Sequence, residues 1–437
     1  MTVTDELMRL TEPGELQRRL DGTFRTKGFR NASVGLSYRG CEAVARLGDN
    51  YEAGDIAIVP AGCVTKLFTA DLIYHASAQK LLRLDDKIAP FFPIEYVSDP
   101  FSQITVLQLL NHMHGLDDSN LQSLPLRSDG FIDIRGLCTM LSSVAPIATA
   151  GQFYSYGNAG AWLCAGILES LYGLRYLEVL KGKLLEPLKM FSTGQVHPSV
   201  RMAPIVCAAT GGSLSISVED LLTFLKSHIV EVNSERRTRC AALGGVDSNV
   251  VSLPGWHSIE RGVGLGWKYY DHGWSGHNSE VPGSEVFVRI NSTEQIGVVV
   301  ESNSHPPTVV ANALFRSLLP TLVDFRLPKL ITVRKVNERC ARRYAGRYGN
   351  EAMSILVWHD LTDALLVEVR RLMKFGTEAI STAIARLIPA EDNIFFARPA
   401  LPELFTFVQF IDFNDSKFQY VWTGTQVLPR TSDSGIA

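Results

Sequence analysis

Residues 61–80 read AGCVTKLFTADLIYHASAQK, and the question they raise is why a thiol, Cys63, stands three positions before a lysine, Lys66. Leu67, Phe68, Leu72 and Ile73 recur at helical spacing on one side, which predicts a helix from Cys63 to about Lys80. Residues three apart on a helix share a face, so the sulfur and the ammonium come within reach of each other. This is the spacing of Ser-x-x-Lys, where the lysine can take the nucleophile's proton, with sulfur here in the place of oxygen. A free thiol titrates near about 8.5, and a helix N-terminus together with a cation should lower that value. Taken alone, the pair is more often the signature of an ordinary core cysteine, because cysteine is among the most buried residue types.

Working outward from this helix, the text from Asn31 to Val59 alternates polar and apolar with Gly and Asp-Asn turn signals, which predicts antiparallel strands. On the other side, ITVLQLLNHMHGLDD from Ile104 reads as a short helix stopping at Gly115, GAWLCAGILESLYG as a long apolar helix ending at Gly173, and LEVLKGKLLEPLKM as helical to Met190. Ser217 followed by acids reads as the N-cap of LLTFLKSHIV. GVGLGWKYYD, SEVFVRIN and QIGVVVESN then return to strand patterning. Two strand sets flanking a helical middle imply an α+β fold whose first and last strands share one sheet under packed helices. Past Leu327 short β-rich runs predict a second unit, so the division is residues 1–328 and a β-rich, barrel-like unit at 329–437.

The chain has 437 residues with 46% hydrophobic and 20% charged side chains, enough to bury a large core without staples. A net charge of −3 offers no field for nucleic acid or an anionic membrane. The N-terminal MTVTDELMRLTEPGELQRRLDG carries acids and arginines where a leader needs an apolar run, and reads as an amphipathic helix of a cytoplasmic protein. The seven cysteines, at 41, 63, 138, 164, 207, 240 and 340, are scattered with no Cys-x-x-Cys spacing, which predicts neither disulfides nor a zinc site. His112 and His114 point apart on a helix and predict no metal pair. Trp162 reads as packing, Trp274 as packing or as a cleft residue, and nothing singles out His257, His272 or His305.

Four motifs set Cys63 in context. Cys63-Val64-Thr65-Lys66, LLNHMHGLDD from Leu109, Tyr156-Gly157-Asn158 before an apolar helix, and GHNSEVPG from Gly276 follow one another in order, with GGSLSISVEDLLTFL between the last two. From Val34 to Asn303 the sequence resembles the serine β-lactamase and penicillin-binding-protein superfamily, in the branch of class C β-lactamases, D-alanyl peptidases, esterases and acyltransferases. The resemblance implies that Lys66 and Tyr156 form the proton-transfer pair, that Asn158 orients substrate and the lysine, and that His277 edges the cleft. It implies an oxyanion hole made of the backbone N–H groups of Cys63 and Glu280. It implies no metal and no organic cofactor.

Two positions depart from the family. Ser279 replaces a glycine and would crowd a bulky acyl group, which puts β-lactam-like substrates in doubt. Cys63 replaces the serine, and three readings compete: a native thiol nucleophile, an engineered replacement of serine that traps an acyl-enzyme, and decay to a non-catalytic ligand-binding protein. Retention of Lys66, Tyr156, Asn158 and His277 speaks against decay. The expected activity is acyl transfer or cyclisation from a thioester or ester in an intracellular natural-product pathway, on a small or peptidyl substrate, carrier-protein-bound or free. The alternative is a hydrolytic esterase or D-peptidase.

Overall fold

The alternating text after Ala32 folds as a hairpin, β1 (Ala32–Tyr38) and β2 (Cys41–Leu47), turned at Arg39 and Gly40, both at positive φ. The computed structural model describes residues 3–24, 32–48, 58–92, 101–302 apart from 118–126, 130, 143–145, 196–207, 211–213, 230–250, 254–259 and 282–283, and 342–432 apart from 351–352, 360–363, 375–377, 392, 402–404 and 415–416. The expected boundary at 328/329, Cys207, Cys240, Cys340, His257, His305 and the Gly211 turn lie outside the described residues.

The N-terminal stretch forms two helices, α1 (Val3–Leu10) and α2 (Glu15–Phe24), instead of the single one expected. Pro13 removes a backbone donor and Gly14 takes φ 77°, so the helix cannot run through. The chain continues through β3 (Ile58–Pro60), α3 (Thr65–Ala78), α4 (Val106–Leu110), α5 (Ile134–Ser142), α6 (Ala159–Tyr172), α7 (Tyr176–Leu180) and α8 (Glu186–Leu188). Then come β4 (Gly194–Gln195), β5 (Leu214–Ser217) and α9 (Val218–Ile229), with the Ser217 hydroxyl accepting from the Asp220 N–H as the cap predicted.

Strands β6 (Val251–Ser252), β7 (Glu260–Gly264), β8 (Trp267–Tyr270), β9 (Trp274–Val281), β10 (Ser284–Asn291) and β11 (Ile296–Ser302) complete an eight-stranded sheet in the order β2-β1-β11-β10-β9-β8-β7-β6. First and last strands therefore meet, with Val34 opposite Val300 in the antiparallel β1–β11 pair. The sheet is covered on both faces, which explains why β1 and β11 are buried at every position. Leu7, Leu10, Leu16 and Leu20 of α1 and α2 pack on one face with Phe287 and Trp274, so Trp274 is a packing residue. The other face receives α9, and one core joins Val286, Val288 and Val299 of the sheet to Leu222 of α9, Phe68 of α3 and Trp162 of α6. Among the described residues no helix is long and apolar enough to cross a membrane.

Cross-strand partners share a face, so Arg46, Ser33, Glu301, Val286 and Ser279 form one row running from β2 to β9 on the α9 side. Arg46 pairs with Glu219 at the start of α9. Glu301 lies beside Ser33 with one oxygen unpartnered, and burial pushes its carboxyl up to about 7, with Ser33 and Arg46 only partly opposing it.

The C-terminal runs close into an eight-stranded antiparallel barrel: β12 (Gly346–Gly349), β13 (Met353–His359), β14 (Leu365–Lys374), β15 (Glu378–Glu391), β16 (Ile394–Leu401), β17 (Phe405–Asn414), β18 (Lys417–Trp422) and β19 (Val427–Ser432). Alternate residues such as Ile355 and Val357, Val367 and Val369, and Val408 and Phe410 fill its interior, the period-2 pattern of inward-facing strand positions.

Candidate active site

The chain leaves β3 and makes one 3₁₀ turn, Gly62–Val64, before α3 begins. The Thr65 hydroxyl donates to the Gly62 carbonyl at 2.8 Å and pins that turn, which sets Cys63 at the N-terminal end of a helix buried from Thr65 to Ile73. Lys66 follows one turn later, 3% exposed, and its Nζ has no hydrogen-bond partner among the described residues. A buried ammonium without a partner is costly unless a negative charge can form nearby, and the Cys63 sulfur is the group placed to carry it.

Tyr156 comes from the loop before α6. That helix is seated by Gly160, where a Cβ would stand 2.4 Å from the Leu109 carbonyl oxygen of α4, so only glycine permits the approach. The Lys66 Nζ lies 4.9 Å from the centre of the Tyr156 ring and the Lys268 Nζ 5.5 Å from it. Rings of His112 and His277 lie at 4.6 and 5.9 Å. Lys268 is itself held by Glu260 at 2.8 Å. Asn158 occupies the N-cap position of α6 without using its side chain as a cap, partly buried. His277 and Ser279 are alternate residues of β9, both buried and on the helix-covered face, while the Glu280 backbone stands opposite Glu285.

The charges favour a thiolate. Burial pushes the Cys63 thiol up, but the Lys66 charge, with Tyr156 and the more distant Lys268, outweighs it, so the net shift is downward. The contrast with other cysteines is direct: burial pushes Cys138 up to about 11 and Cys164 higher still. Tyr156 moves the opposite way, held as a phenol by burial and then by the neighbouring sulfur's charge. The resting tyrosine is thus a proton donor, so within the Lys66–Tyr156 pair it is the member that starts with its proton in place. His277 and His112 are both kept neutral by burial first and nearby lysines next. The His277 Nδ1 lies 2.7 Å from the Asn278 carbonyl, an acceptor, so Nδ1 carries the hydrogen and Nε2 keeps a lone pair.

Three further observations revise or extend the sequence reading. The Cys63 N–H, expected to be an open oxyanion donor, donates to the Ser279 Oγ at 3.0 Å. The helix expected to reach Gly115 ends at Leu110, because Asn111 turns its Oδ1 to the Leu265 N–H at 2.8 Å and His112 adopts φ 55°. His112 thereby joins the site, its Nδ1 accepting from the Gly157 N–H at 3.4 Å. No group of three or more potential metal ligands exists among the described residues.

The barrel contributes to this region. The Tyr156 N–H donates to the Thr425 carbonyl at 2.7 Å, and the Val427 N–H donates to the Ser155 Oγ at 3.2 Å. Phe153 meets Tyr420 at a tilt of 60° with centroids 4.9 Å apart, and Tyr154 and Ile147 share a small core with Trp422 and Val427. The β18–β19 turn thus holds both the residue before the catalytic candidate and its own peptide.

A sequence profile for the family described as Beta-lactamase matches residues 20–321. The chain belongs to the β-lactamase family. Among this family's curated members, penicillin-binding protein 4 of Amycolatopsis lactamdurans is 23% identical over 307 residues, spanning 63% of this chain and 79% of that protein. The crystal structure of SurE superposes with a TM-score of 0.76 at 19% identity, over 98% of this chain and 100% of that one, and SurE with D-Leu gives 0.72 at 20%, over 98% and 100%. The D-stereospecific amidohydrolase from Streptomyces gives 0.54 at 17%, over 70% and 98%. These likenesses establish the β-lactamase fold, and the family is one of acyl hydrolases and acyl transferases. The chain is an enzyme of that β-lactamase type.

Proposed function

We propose that the protein transfers acyl groups through a covalent thioester on Cys63, and the observation that carries this reading is Cys63 at the head of α3 with the buried Lys66 one turn on and its Nζ 4.9 Å from the Tyr156 ring. The Cys63 thiolate attacks the carbonyl of a thioester or ester donor, forming a C–S bond. The tetrahedral oxyanion collapses and expels the donor's thiolate or alkoxide, which takes a proton from Tyr156, in turn resupplied by Lys66. An amine or hydroxyl acceptor then attacks the Cys63 thioester. Its proton passes back to Tyr156 and Lys66, and the sulfur leaves as the thiolate it began as. The neutral His277, with its Nε2 lone pair, is suited to accept a hydrogen from an incoming N–H.

Exchange between a substrate thioester and an enzyme thiol is nearly balanced in energy, which favours transfer or cyclisation over hydrolysis. The names of SurE's D-Leu complex and of the Streptomyces amidohydrolase support a D-configured residue on the donor. A peptidyl donor, carried by a protein or free, within a cytoplasmic natural-product pathway is the setting we assign.

The test is intact-protein mass spectrometry with D- and L-aminoacyl thioesters of a small thiol, on the protein and its Cys63→Ser and Cys63→Ala variants. The expected result is an acyl adduct mapped to Cys63 and absent from the alanine form, with product moving from acid to amide as an amine is added. Faster turnover by the serine form would mark the cysteine as a trap. A folded protein that gives no adduct with any donor overturns the reading and leaves the ligand-binding alternative. Product that stays acid at every amine concentration favours the hydrolase.

A further inference from the structure

Ser279 stands where the family's strand motif carries glycine, and its side chain has a definite place. The hydroxyl oxygen lies 3.0 Å from the Cys63 nitrogen and takes that hydrogen. Acyl chemistry at Cys63 needs the same donor, with the developing oxyanion about 2.7–3.1 Å away. Two oxygens cannot hold that position together. Ser279 is 1% exposed, so bulk water does not reach the hydroxyl to replace it. Among the described residues the Cys63 N–H is its hydrogen-bond partner, so a turn about χ1 breaks one neutral hydrogen bond.

We propose that Ser279 gates the oxyanion site: its hydroxyl fills the site at rest and swings aside when a donor carbonyl enters, making it a specificity-determining residue. The inference rests on the acyl-enzyme reading above. A donor with many contacts elsewhere in the cleft offsets the opening. A small donor lacks those contacts and meets a filled site. The serine would therefore suppress acylation of Cys63 by small metabolite thioesters while admitting the anchored donor.

The experiment compares two reactions of the same sulfur in the protein and in its Ser279→Ala and Ser279→Gly variants. One is acylation by an acetyl thioester, followed by intact mass. The other is alkylation by iodoacetamide, which displaces iodide at saturated carbon, forms no oxyanion and reports the thiolate alone. Losing one neutral hydrogen bond's competition should raise the acylation-to-alkylation ratio about two- to tenfold in both variants. A ratio that does not change, including parallel changes in both rates, overturns the gate. So does a ratio that falls on the order of a hundredfold, because the hydroxyl would then be an oxyanion donor itself. Acylation of the unaltered protein with an unchanged ratio sinks the gate alone, whereas alkylation without acylation in all three forms sinks the acyl-enzyme reading with it.

Discussion

Glu301→Gln should change how the stability of the protein depends on pH, and the size of the effect follows from the buried row that joins β2 to β9. The Glu301 carboxyl is 2% exposed, has an unpartnered oxygen, and is pushed by burial from an ordinary value of 4.5 to about 7. Below 4.5 both folded and unfolded chains hold the proton, and the acid form's contribution is fully present. Between 4.5 and 7 the unfolded chain releases it while the folded chain keeps it, so rising pH favours unfolding. Above both values the loss reaches about 3.4 kcal/mol, most of which, about 2.5 kcal/mol, accumulates between pH 5 and pH 8. Glutamine keeps the shape and does not titrate. In urea unfolding followed by tryptophan fluorescence, Glu301→Gln should gain on the unaltered protein by about that amount from pH 5 to pH 8, at constant slope m. A difference between the two proteins that is the same at both pH values would refute the reasoning, since it would mean that Glu301 ionises in the folded state as it does in the unfolded chain.

Lys66→Met removes the largest charge acting on the sulfur, so the thiol rises and the pH midpoint of alkylation moves to higher pH, slowing the reaction at neutral pH about tenfold per unit of the rise; an unmoved midpoint would show that the sulfur does not sense the lysine. Lys268→Gln should shift the same midpoint in the same direction by less, because Lys268 stands behind the Tyr156 ring and is shared with Glu260. Tyr156→Phe should slow acyl transfer by about 10²–10⁴ while alkylation falls far less, and equal losses in the two assays would remove the tyrosine from proton transfer. Ser155→Ala leaves the Val427 N–H without its partner at a buried contact, which should cost about 1–3 kcal/mol in thermal unfolding.

The parts legible in the sequence are those set by short-range spacing. Cys63 and Lys66 at i and i+3 with an apolar stripe behind them give the helix and its reactive turn, and the alternation at β1 and the Val-rich run at β11 give the strands of the shared sheet. The acids after Ser217 give the α9 cap. What stays hidden depends on long-range partners. Lys268 reaches the Tyr156 ring from a strand more than a hundred residues away, and no local pattern marks it. His112 is readable as a helical residue until Asn111 is seen to serve the Leu265 N–H. Pro13-Gly14 was a usable break signal for the N-terminal helix. Strand β15 lies in EAISTAIARLIPAE, whose four alanines weaken the alternation, and Pro389 adjoins a register shift. Ser279 reads as crowding from sequence, and only the strand's approach to the 3₁₀ turn shows that its oxygen meets a particular N–H.

The grip of the β18–β19 turn on Tyr156 ties the lifetime of activity to the less durable of two bodies. The hydrogen bond from the tyrosine's own peptide runs to Thr425 of the barrel, so an event that loosens the barrel reaches the proton donor without touching Cys63. During storage or mild heating, thiol titre and turnover would then decay on different clocks. A preparation that still labels fully at Cys63 can already have lost its capacity to release an acyl group, and a cysteine count would overstate the active enzyme.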